Sequence, residues 1–369
     1  MTFSADTIVI GGGLVGSAIA FGLQRKGMKT LLLDQGDQAF RAARGNFGLV
    51  WVQGKGSDFP PYAQWTQLSA KLWQNLTDEI LDLTRINMHY SRPGGLEICL
   101  DEEDVETRIK KLERLKSHQT DFSFEFLGQN TLRDMLPEIG TDVVGAIYSP
   151  ADGHVNPLYL LQGLHSAFQQ LGGVTINGQS AINIKKNSDY YEVCTKTSSY
   201  FGHQIILAAG LGNKNLGTEL DLQVPIQPIR GQIIVTEKLK PFFPFSATQI
   251  RQSEEGSFLI GVSHEDVGMD DGTDPSIIQS ISQRATKIFP RLSSAQVVRV
   301  WGALRVMSPD GYPIYQESRT YPGIFSASCH SGVTLAAAHV YKLAEALVKG
   351  KLPHSLKSMN AERFNNEAS

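Results

Sequence analysis

The chain has 369 residues, of which 41% are hydrophobic and 19% are charged, and its formal net charge is −3. At ~150 residues per domain this length suggests about two domains, and the composition is that of an ordinary globular protein. The weak negative charge and the lack of a basic run argue against nucleic acid as a partner. No apolar run reaches the ~20 residues of a membrane-spanning helix, so we expect no transmembrane segment.

Cysteine and histidine usage restricts the redox and metal chemistry. The three cysteines, Cys99, Cys194 and Cys329, lie far apart and form no CxxC pattern, which argues against a disulfide framework and favours a reducing, cytoplasmic compartment. An iron–sulfur cluster usually needs four cysteine ligands, which this chain cannot supply alone. The nine histidines form no HxH or HExxH pattern, so we expect no metal site.

The N-terminal segment has the order strand, glycine-rich turn, helix, strand. Residues 7–10 (TIVI) predict a buried strand. Residues 11–16 (GGGLVG) contain the pattern GxGxxG, and residues 14–26 predict a helix. A second strand over residues 29–33 ends at Asp34. This order is the fingerprint of an adenine-dinucleotide site.

Each small residue of the turn has a physical role in such a site. Gly11 permits the tight turn, Gly13 lets a pyrophosphate approach the backbone, and Gly16 lets the helix pack close to the strand. Leu14 and Val15 are the first residues of the helix. Their free backbone N–H groups and the positive end of the helix dipole favour the binding of phosphate.

An acid closes the motif. Asp34, followed by Gln35, lies about 20 residues after the turn and is expected to accept hydrogen bonds from ribose hydroxyls. NAD and FAD share this ADP half, so the fingerprint alone does not choose between them.

Two later segments favour FAD. Residues 204–210 predict a strand that ends in the small residues Ala209 and Gly210. Residues 323–328 predict another strand, followed by a turn and by a helix over 333–348. A strand, a glycine-containing turn and a helix N-terminus make an anion-friendly site. Such a site suits the flavin ring, whose reduced form is negative near N1 and O2. The expected contacts of this turn are His330, Ser331, Gly332, Val333 and Thr334.

With these motifs the chain resembles the D-amino-acid oxidase/glycine oxidase superfamily of FAD enzymes over nearly its whole length. The resemblance rests on the N-terminal fingerprint, the C-terminal turn and the segments 152–157 (DGHVNP), 228–232 (PIRGQ) and 304–313 (LRVMSPDGYP). Residues 44–56 (RGNFGLVWVQGKG) resemble one branch. That branch is the flavoprotein β subunit of opine oxidases and D-hydroxyproline dehydrogenases, related to hydrogen cyanide synthase.

The resemblance implies a fold and a division into domains. It implies an α/β fold in which a Rossmann-like FAD-binding domain of glutathione-reductase type interleaves with an α+β substrate domain. We expect the FAD-binding domain to comprise residues 1–85, 142–225 and 304–369, and the substrate domain residues 86–141 and 226–303.

The resemblance also implies positions around the flavin. The FAD is expected to be non-covalent, since the 303–305 neighbourhood, where some relatives attach it, has no cysteine. The residues expected to bind the cofactor here are Arg44, Gly45, Asn46, Phe47 and Gly48, of which Asn46–Gly48 are expected beside the isoalloxazine ring. Cys329 stands where many members have glycine. A Cys329–His330 nucleophile pair is disfavoured, because adjacent side chains usually point apart.

Two arginines are candidates for the substrate carboxylate. Arg305 ends an apolar stretch, and a guanidinium there can clamp a carboxylate with two hydrogen bonds. Relatives of glycine oxidase type place their carboxylate arginine in this motif. Arg251 is the second candidate, and a structural role is the alternative for both. Trp51 or Gln53 could reach the substrate pocket. A phosphate loop at residues 53–57 (QGKGS) is rejected, because the spacing of GxxxxGK is not met.

The implied reaction is oxidation of a C–N bond next to a carboxylate, by hydride transfer to flavin N5. The expected substrate is a secondary or cyclic amino acid: an opine, hydroxyproline or proline. Two alternatives are a standalone glycine/sarcosine-type oxidase that produces hydrogen peroxide and a non-catalytic flavoprotein subunit. The resemblance further implies companion redox subunits that carry iron–sulfur or a second flavin, and a cytoplasmic location with membrane contact only through such partners.

Overall fold

The computed structural model describes residues 3–36, 42–119 and 121–367. The strands are β1 (Phe3–Ile10), β2 (Thr30–Leu33), β3 (Leu49–Val50), β4 (Gly95–Cys99), β5 (Glu125–Gly128), β6 (Gly145–Ser149), β7 (Gly153–His154), β8 (Val174–Ile176), β9 (Asn183–Lys186), β10 (Tyr191–Cys194), β11 (Ser199–Leu207), β12 (Gln227–Lys238), β13 (Ser246–Ala247), β14 (Ile250–Gln252), β15 (Ser257–Ile260), β16 (Val297–Met307), β17 (Ile314–Glu317) and β18 (Ile324–Ser328).

The main helices are α1 (Leu14–Arg25), α2 (Pro60–Thr84), α3 (Glu102–His118), α4 (Gln129–Met135), α5 (Pro157–Gln170), α6 (Asn213–Thr218) and α7 (Pro275–Ile288). A C-terminal helix consists of α-helical Ala336–Ala338, π-helical His339–Leu343 and α-helical Ala344–Val348. Short 3-10 helices lie at Gly210–Gly212, Pro290–Ser294, His354–Met359 and Ala361–Glu367.

The first sheet is the dinucleotide-binding half of the fold. Its strand order is β17-β18-β11-β1-β2-β8, with β10 and β9 added beside β11. β1 is parallel to both β2 and β11, and β11 is parallel to β18. The apolar run of β2 is buried at every position, as expected of a parallel strand covered on both faces. α1 packs against α5 and the C-terminal helix. This arrangement confirms the predicted α/β fold class.

The second sheet has the order β16-β12-β15-β14-β13-β4-β6-β5. Its pairs are antiparallel apart from β13 with β4. α4 packs against β5 and β6, and α7 packs against β12 and β15. A buried cluster that includes Leu96, Phe258 and Phe289 forms the core of this half.

Two strands differ from the predicted domain limits. β6 lies in the 142–225 range that was assigned to the FAD-binding domain, yet it pairs with β4 of the second sheet over five residues. β16 crosses the predicted limit at residue 304, because this long strand pairs with β12 as far as Met307. The division into domains otherwise stays a prediction.

The C-terminal helix begins later than the predicted residue 333. Thr334 precedes it in a turn whose side-chain Oγ1 accepts from Trp51 N at 3.1 Å and donates to Leu49 O at 3.2 Å. These bonds tie the turn to β3, and the α-helical segment begins at Ala336.

Within the described residues, no helix has both the length and the apolar character needed to cross a bilayer. The same part of the chain holds no cluster of three or more His, Cys, Asp or Glu side chains placed to bind a metal ion.

Candidate active site

A cavity of about 560 Å³ lies at the carboxyl ends of β1, β2, β11 and β18, the edge where open α/β sheets bind ligands. Most of the predicted cofactor residues line it. They are Gly11, Gly13, Leu14, Val15, Asp34, Gln35, Asn46, Ala209, Gly210, His330 and Gly332.

The glycines of the turn serve different purposes. Gly11 has a φ of +111°, and a Cβ there would overlap Ala208 O. A Cβ at Gly16 would overlap Gly11 O, so this glycine lets α1 approach the turn. A Cβ at Gly13 would meet only Ala43 Cβ, at 3.7 Å. The fold therefore requires Gly11 and Gly16, whereas Gly13 is left for close approach by a ligand.

The turn has a support that sequence reasoning missed. His165 Nε2 lies 2.9 Å from both Gly12 O and Ser17 Oγ, and Ser17 Oγ donates to Gly12 O at 3.0 Å. These contacts satisfy the turn carbonyl and join α5 to the start of α1. His165 lies about 150 residues from the motif, and an isolated histidine gives no sequence signal for such a role.

The carboxylate of Asp34 is fixed at the end of β2. It accepts from Gly12 N at 2.6 Å and from Gly36 N at 2.8 Å, and it lines the cavity. It is thereby oriented at the position where the fingerprint places a ribose.

Asn213, also missed from sequence, joins the ends of two strands. Its Oδ1 accepts from Ala209 N at 2.7 Å, and its Nδ2 donates to Leu207 O at 3.2 Å and to Ala327 O at 3.1 Å. The ends of β11 and β18 are thus held together beneath the cavity.

A second cavity, of about 230 Å³, adjoins the first. The two share the lining residues Ala42, Asn46, Leu304, Val306, Cys329 and His330. Further predicted residues that line the second cavity are Gly45, Phe47, Arg305, Ser331, Val333 and Thr334. The first cavity offers the glycine turn, helix N-terminus and carboxylate that an ADP half needs. The shared wall includes Asn46, Cys329 and His330 from the two segments expected beside a flavin ring, together with Ala42 and with Leu304 and Val306 of β16. These residues fit FAD.

Three predicted cofactor residues, Gly16, Arg44 and Gly48, line neither cavity in the described part of the chain. Gly16 acts through the packing of α1. Gly48 has a φ of +88°, and a Cβ there would overlap Val155 O.

The DGHVNP motif braces the segment that runs along the shared wall. Asp152 Oδ1 accepts from Val52 N and, at 3.2 Å, from Gln53 N. Burial raises the pKa of Asp152 to about 7. β7 pairs with β3, and Val155 N donates to Gly48 O at 2.8 Å. The motif therefore positions residues 48–53.

Trp51 and Gln53 were the two side chains expected near the substrate pocket. In the described part of the chain, Trp51 lines the second cavity and Gln53 does not. Gln53 instead donates through Nε2 to Gly95 O at 3.2 Å.

Cys329 and His330 both lie on the shared wall. Burial raises the pKa of the Cys329 thiol to about 12. Burial also holds the pKa of His330 well below its usual value, and the charges of Lys55 and Arg305 lower it further. A neutral thiol beside a neutral imidazole is not an activated nucleophile pair. The electrostatics therefore agree with a turn that contributes backbone to a ligand.

Arg305 faces the second cavity from β16. Its Nη1 donates to Arg230 O at 3.1 Å, and the guanidinium occupies the space beside Gly231, where a Cβ would overlap Nη2. Arg305 forms no salt bridge with a described residue. Arg305 is half-buried, and this burial lowers its pKa while the nearby charge of Glu265 acts in the opposite direction.

The neighbouring arginines have different surroundings. Arg230 forms salt bridges with Glu265 at 2.7 Å and with Asp270 at 2.5 Å. Arg251 is buried and donates through Nε to Phe47 O at 2.5 Å. Arg251 is absent from the described lining of both cavities, so its contacts support the wall rather than reach a ligand.

Lys55 is a lining residue of the second cavity to which the sequence assigned no role. Its Nζ donates to Ser331 Oγ at 3.3 Å, and Ser331 Oγ lies 2.7 Å from the Tyr62 hydroxyl oxygen. Burial, followed by the nearby charge of Lys111, lowers the pKa of Lys55 to about 8. The one hint in the sequence that Lys55 belongs to the site was its position inside the 44–56 segment.

Comparisons with known proteins agree with this site. An opine oxidase subunit from Agrobacterium tumefaciens is 39% identical and its counterpart from Rhizobium meliloti is 38% identical, each over 98% of both chains. The crystal structure of glycine oxidase from Geobacillus kaustophilus matches with a TM-score of 0.89 at 20% identity, over 97% of this chain and 98% of that one. The crystal structure of L-proline dehydrogenase from P. horikoshii matches with a TM-score of 0.86 at 17% identity, over 100% and 99%.

At these structural identities the likeness is one of fold. The family described as "DAO: FAD dependent oxidoreductase" matches residues 6–346 of the sequence. With that match and the relatives near 40% identity, the chain belongs to the DAO family of FAD-dependent oxidoreductases.

Proposed function

We propose that this chain is an FAD-dependent amino-acid dehydrogenase that oxidises the C–N bond of a secondary or cyclic amino acid, such as an opine, hydroxyproline or proline. We further propose that it works as the flavoprotein subunit of a hetero-oligomer. The observation that carries the proposal is Arg305: a half-buried guanidinium with no salt bridge to a described residue, on a cavity that adjoins the dinucleotide cavity.

The role of Arg305 follows from its surroundings. A half-buried cation without a carboxylate partner loses part of its hydration, and a ligand that supplies the countercharge offsets this cost. A substrate carboxylate meets this need through the planar fork of the guanidinium. Binding there orients the substrate so that its α-carbon can be placed toward the shared wall of the two cavities. Bound FAD supplies the two-electron acceptor for the C–N oxidation.

The FAD is proposed to be non-covalent. Among the described residues, the cysteine that lines the cavities is Cys329, whose raised pKa keeps it a thiol. A protonated thiol is a poor nucleophile, which supports a cofactor held by contacts alone.

The proposed partners are companion redox subunits that carry iron–sulfur or a second flavin. Support comes from two relatives, each of which is one subunit of an opine oxidase. The three cysteines of this chain are all unpaired, which supports a reducing, cytoplasmic location with membrane contact only through partners.

Anaerobic reduction of the bound flavin by a panel of opines and of primary, secondary and cyclic amino acids tests the proposal. Bleaching by secondary or cyclic amino acids, together with slow reaction with oxygen and faster turnover with an artificial acceptor dye, is the expected result. Rapid formation of hydrogen peroxide by the isolated chain would favour a glycine/sarcosine-type oxidase. A flavin that no compound reduces would indicate a non-catalytic subunit.

A further inference from the structure

The second cavity carries more positive charge than one carboxylate needs. Two basic side chains, Lys55 and Arg305, line it, and no described Asp or Glu does. The negative charge of Glu97 acts on Lys55 and opposes the lowering of its pKa by burial. The Glu97 carboxylate, however, already forms a salt bridge with Arg108 and accepts a hydrogen bond from Thr248 Oγ1 at 2.9 Å. Neither cation of the cavity has a salt bridge to a described residue.

The two cations are placed by independent parts of the fold. Arg305 lies on β16 and is held through Arg230 O. Lys55 lies on the loop between β3 and α2, and its Nζ is oriented by Ser331 Oγ, which contacts the Tyr62 hydroxyl. A hydrogen-bonded chain around a half-buried amine indicates a prepared position for the cation rather than a side chain free in solvent.

We propose that Lys55 is a specificity-determining residue that binds a second carboxylate of the substrate, so that the substrates are secondary amines carrying two carboxylates. This inference rests on the proposed function, in which Arg305 binds the first carboxylate. A compact ammonium is a suitable partner for a carboxylate at the second position. With a dianionic ligand bound, each of the two half-buried cations gains a carboxylate partner.

The test uses two ligands that differ by one carboxylate. Thiodiacetate has two carboxylates and methylthioacetate has one, and both carry sulfur in place of the amine nitrogen. Dissociation constants are measured from the perturbation of the flavin absorption spectrum in the flavin-loaded protein. The wild-type protein should bind thiodiacetate more tightly. Lys55→Met should weaken thiodiacetate binding by about 30-fold or more and methylthioacetate binding by less than about 3-fold.

The control variant is Lys111→Met. Lys111 is exposed and close to Lys55, since its Nζ would lie 3.5 Å from a Cβ at Gly54. The same change of charge and length there should leave the preference between the two ligands within about 3-fold of wild type. Flavin content and melting temperature are measured for each variant. If Lys55→Met loses flavin, Lys55→Gln replaces it and should show the same loss of preference.

The outcomes separate this inference from the proposed function. Equal weakening of both ligands by Lys55→Met would assign Lys55 to the flavin or to general positioning and would overturn the inference. Wild-type protein that binds methylthioacetate without preferring thiodiacetate would overturn the inference alone, with the proposed function intact. Wild-type protein that binds neither ligand, and whose flavin no amino acid reduces, would overturn both.

Discussion

Arg305 can be displaced without being mutated, because its guanidinium depends on a glycine of the neighbouring strand. Gly231 lies on β12 opposite Ala303 of β16, and a Cβ there would overlap Arg305 Nη2. The overlapping atoms belong to the far end of a flexible side chain, so the guanidinium should move while the backbone stays. Gly231→Ala therefore tests the position of the cation, and Arg305→Leu tests its presence.

The magnitudes follow from the surroundings of the guanidinium. Removing a charged hydrogen-bond partner at a desolvated site costs about 2–5 kcal/mol, or roughly 30- to 5000-fold in substrate affinity. Arg305→Leu should fall in this range. Arg305→Lys keeps the charge but loses the fork, so its loss should be smaller yet measurable. Gly231→Ala should weaken substrate binding relative to wild type, but by a smaller factor than Arg305→Leu.

The assay is anaerobic reduction of the flavin over a range of substrate concentrations, with flavin content and melting temperature measured beside it. The matched control is Gly128→Ala, because a Cβ there meets nothing within 4 Å. All variants should stay folded and yellow. Arg305→Leu with full flavin and unchanged affinity would refute the clamp. Loss of flavin or of soluble protein would instead support a structural role for Arg305.

Three further predictions concern the cofactor and the second cation. Acid precipitation should release all the yellow colour, and colour left in the pellet would contradict non-covalent attachment. Gly13→Ala should lose FAD while the apoprotein keeps its melting temperature. Gly16→Ala should also lower the free energy of unfolding of the apoprotein by about 1–3 kcal/mol, since its Cβ would overlap Gly11 O. Denaturant titration of the two apoproteins checks this difference. Raising the pH from about 7 to about 9 should weaken thiodiacetate binding more than methylthioacetate binding, because the Lys55 amine loses its proton above its lowered pKa of about 8. Lys55→Met should remove that difference, and a difference that persists in the variant would assign the titration to another group.

The motifs of the first sheet were predictable because each rests on local backbone chemistry. The GxGxxG turn needs its glycines at fixed offsets, and α1 begins at Leu14 as predicted. The supports of that turn were not predictable. His165 and Asn213 act through contacts to backbone atoms far away in sequence, and a single polar residue has no periodicity by which to recognise it. The contacts of Thr334 with the distant segment around β3 were hidden for the same reason.

The sequence ranked Arg305 ahead of Arg251 chiefly through the family resemblance, because each of these arginines lies on a strand beside apolar residues. Their partners separate them. Arg230 is neutralised by two carboxylates, and Arg251 is committed to the carbonyl of Phe47. Arg305 donates to the carbonyl of Arg230 and faces a cavity. A cation in a desolvated position without an internal countercharge lowers stability unless it serves a ligand.

The same reasoning applies to Lys55, whose Nζ donates to the neutral hydroxyl of Ser331. Two such cations on one cavity attract a ligand with two negative charges more strongly than a ligand with one, because only the dicarboxylate gives each cation a partner. Selectivity for a dicarboxylate would thus come from the second ion pair. Lys55→Met should accordingly weaken flavin reduction by dicarboxylates and leave reduction by monocarboxylates nearly unchanged, while Arg305→Leu should weaken reduction by all of them.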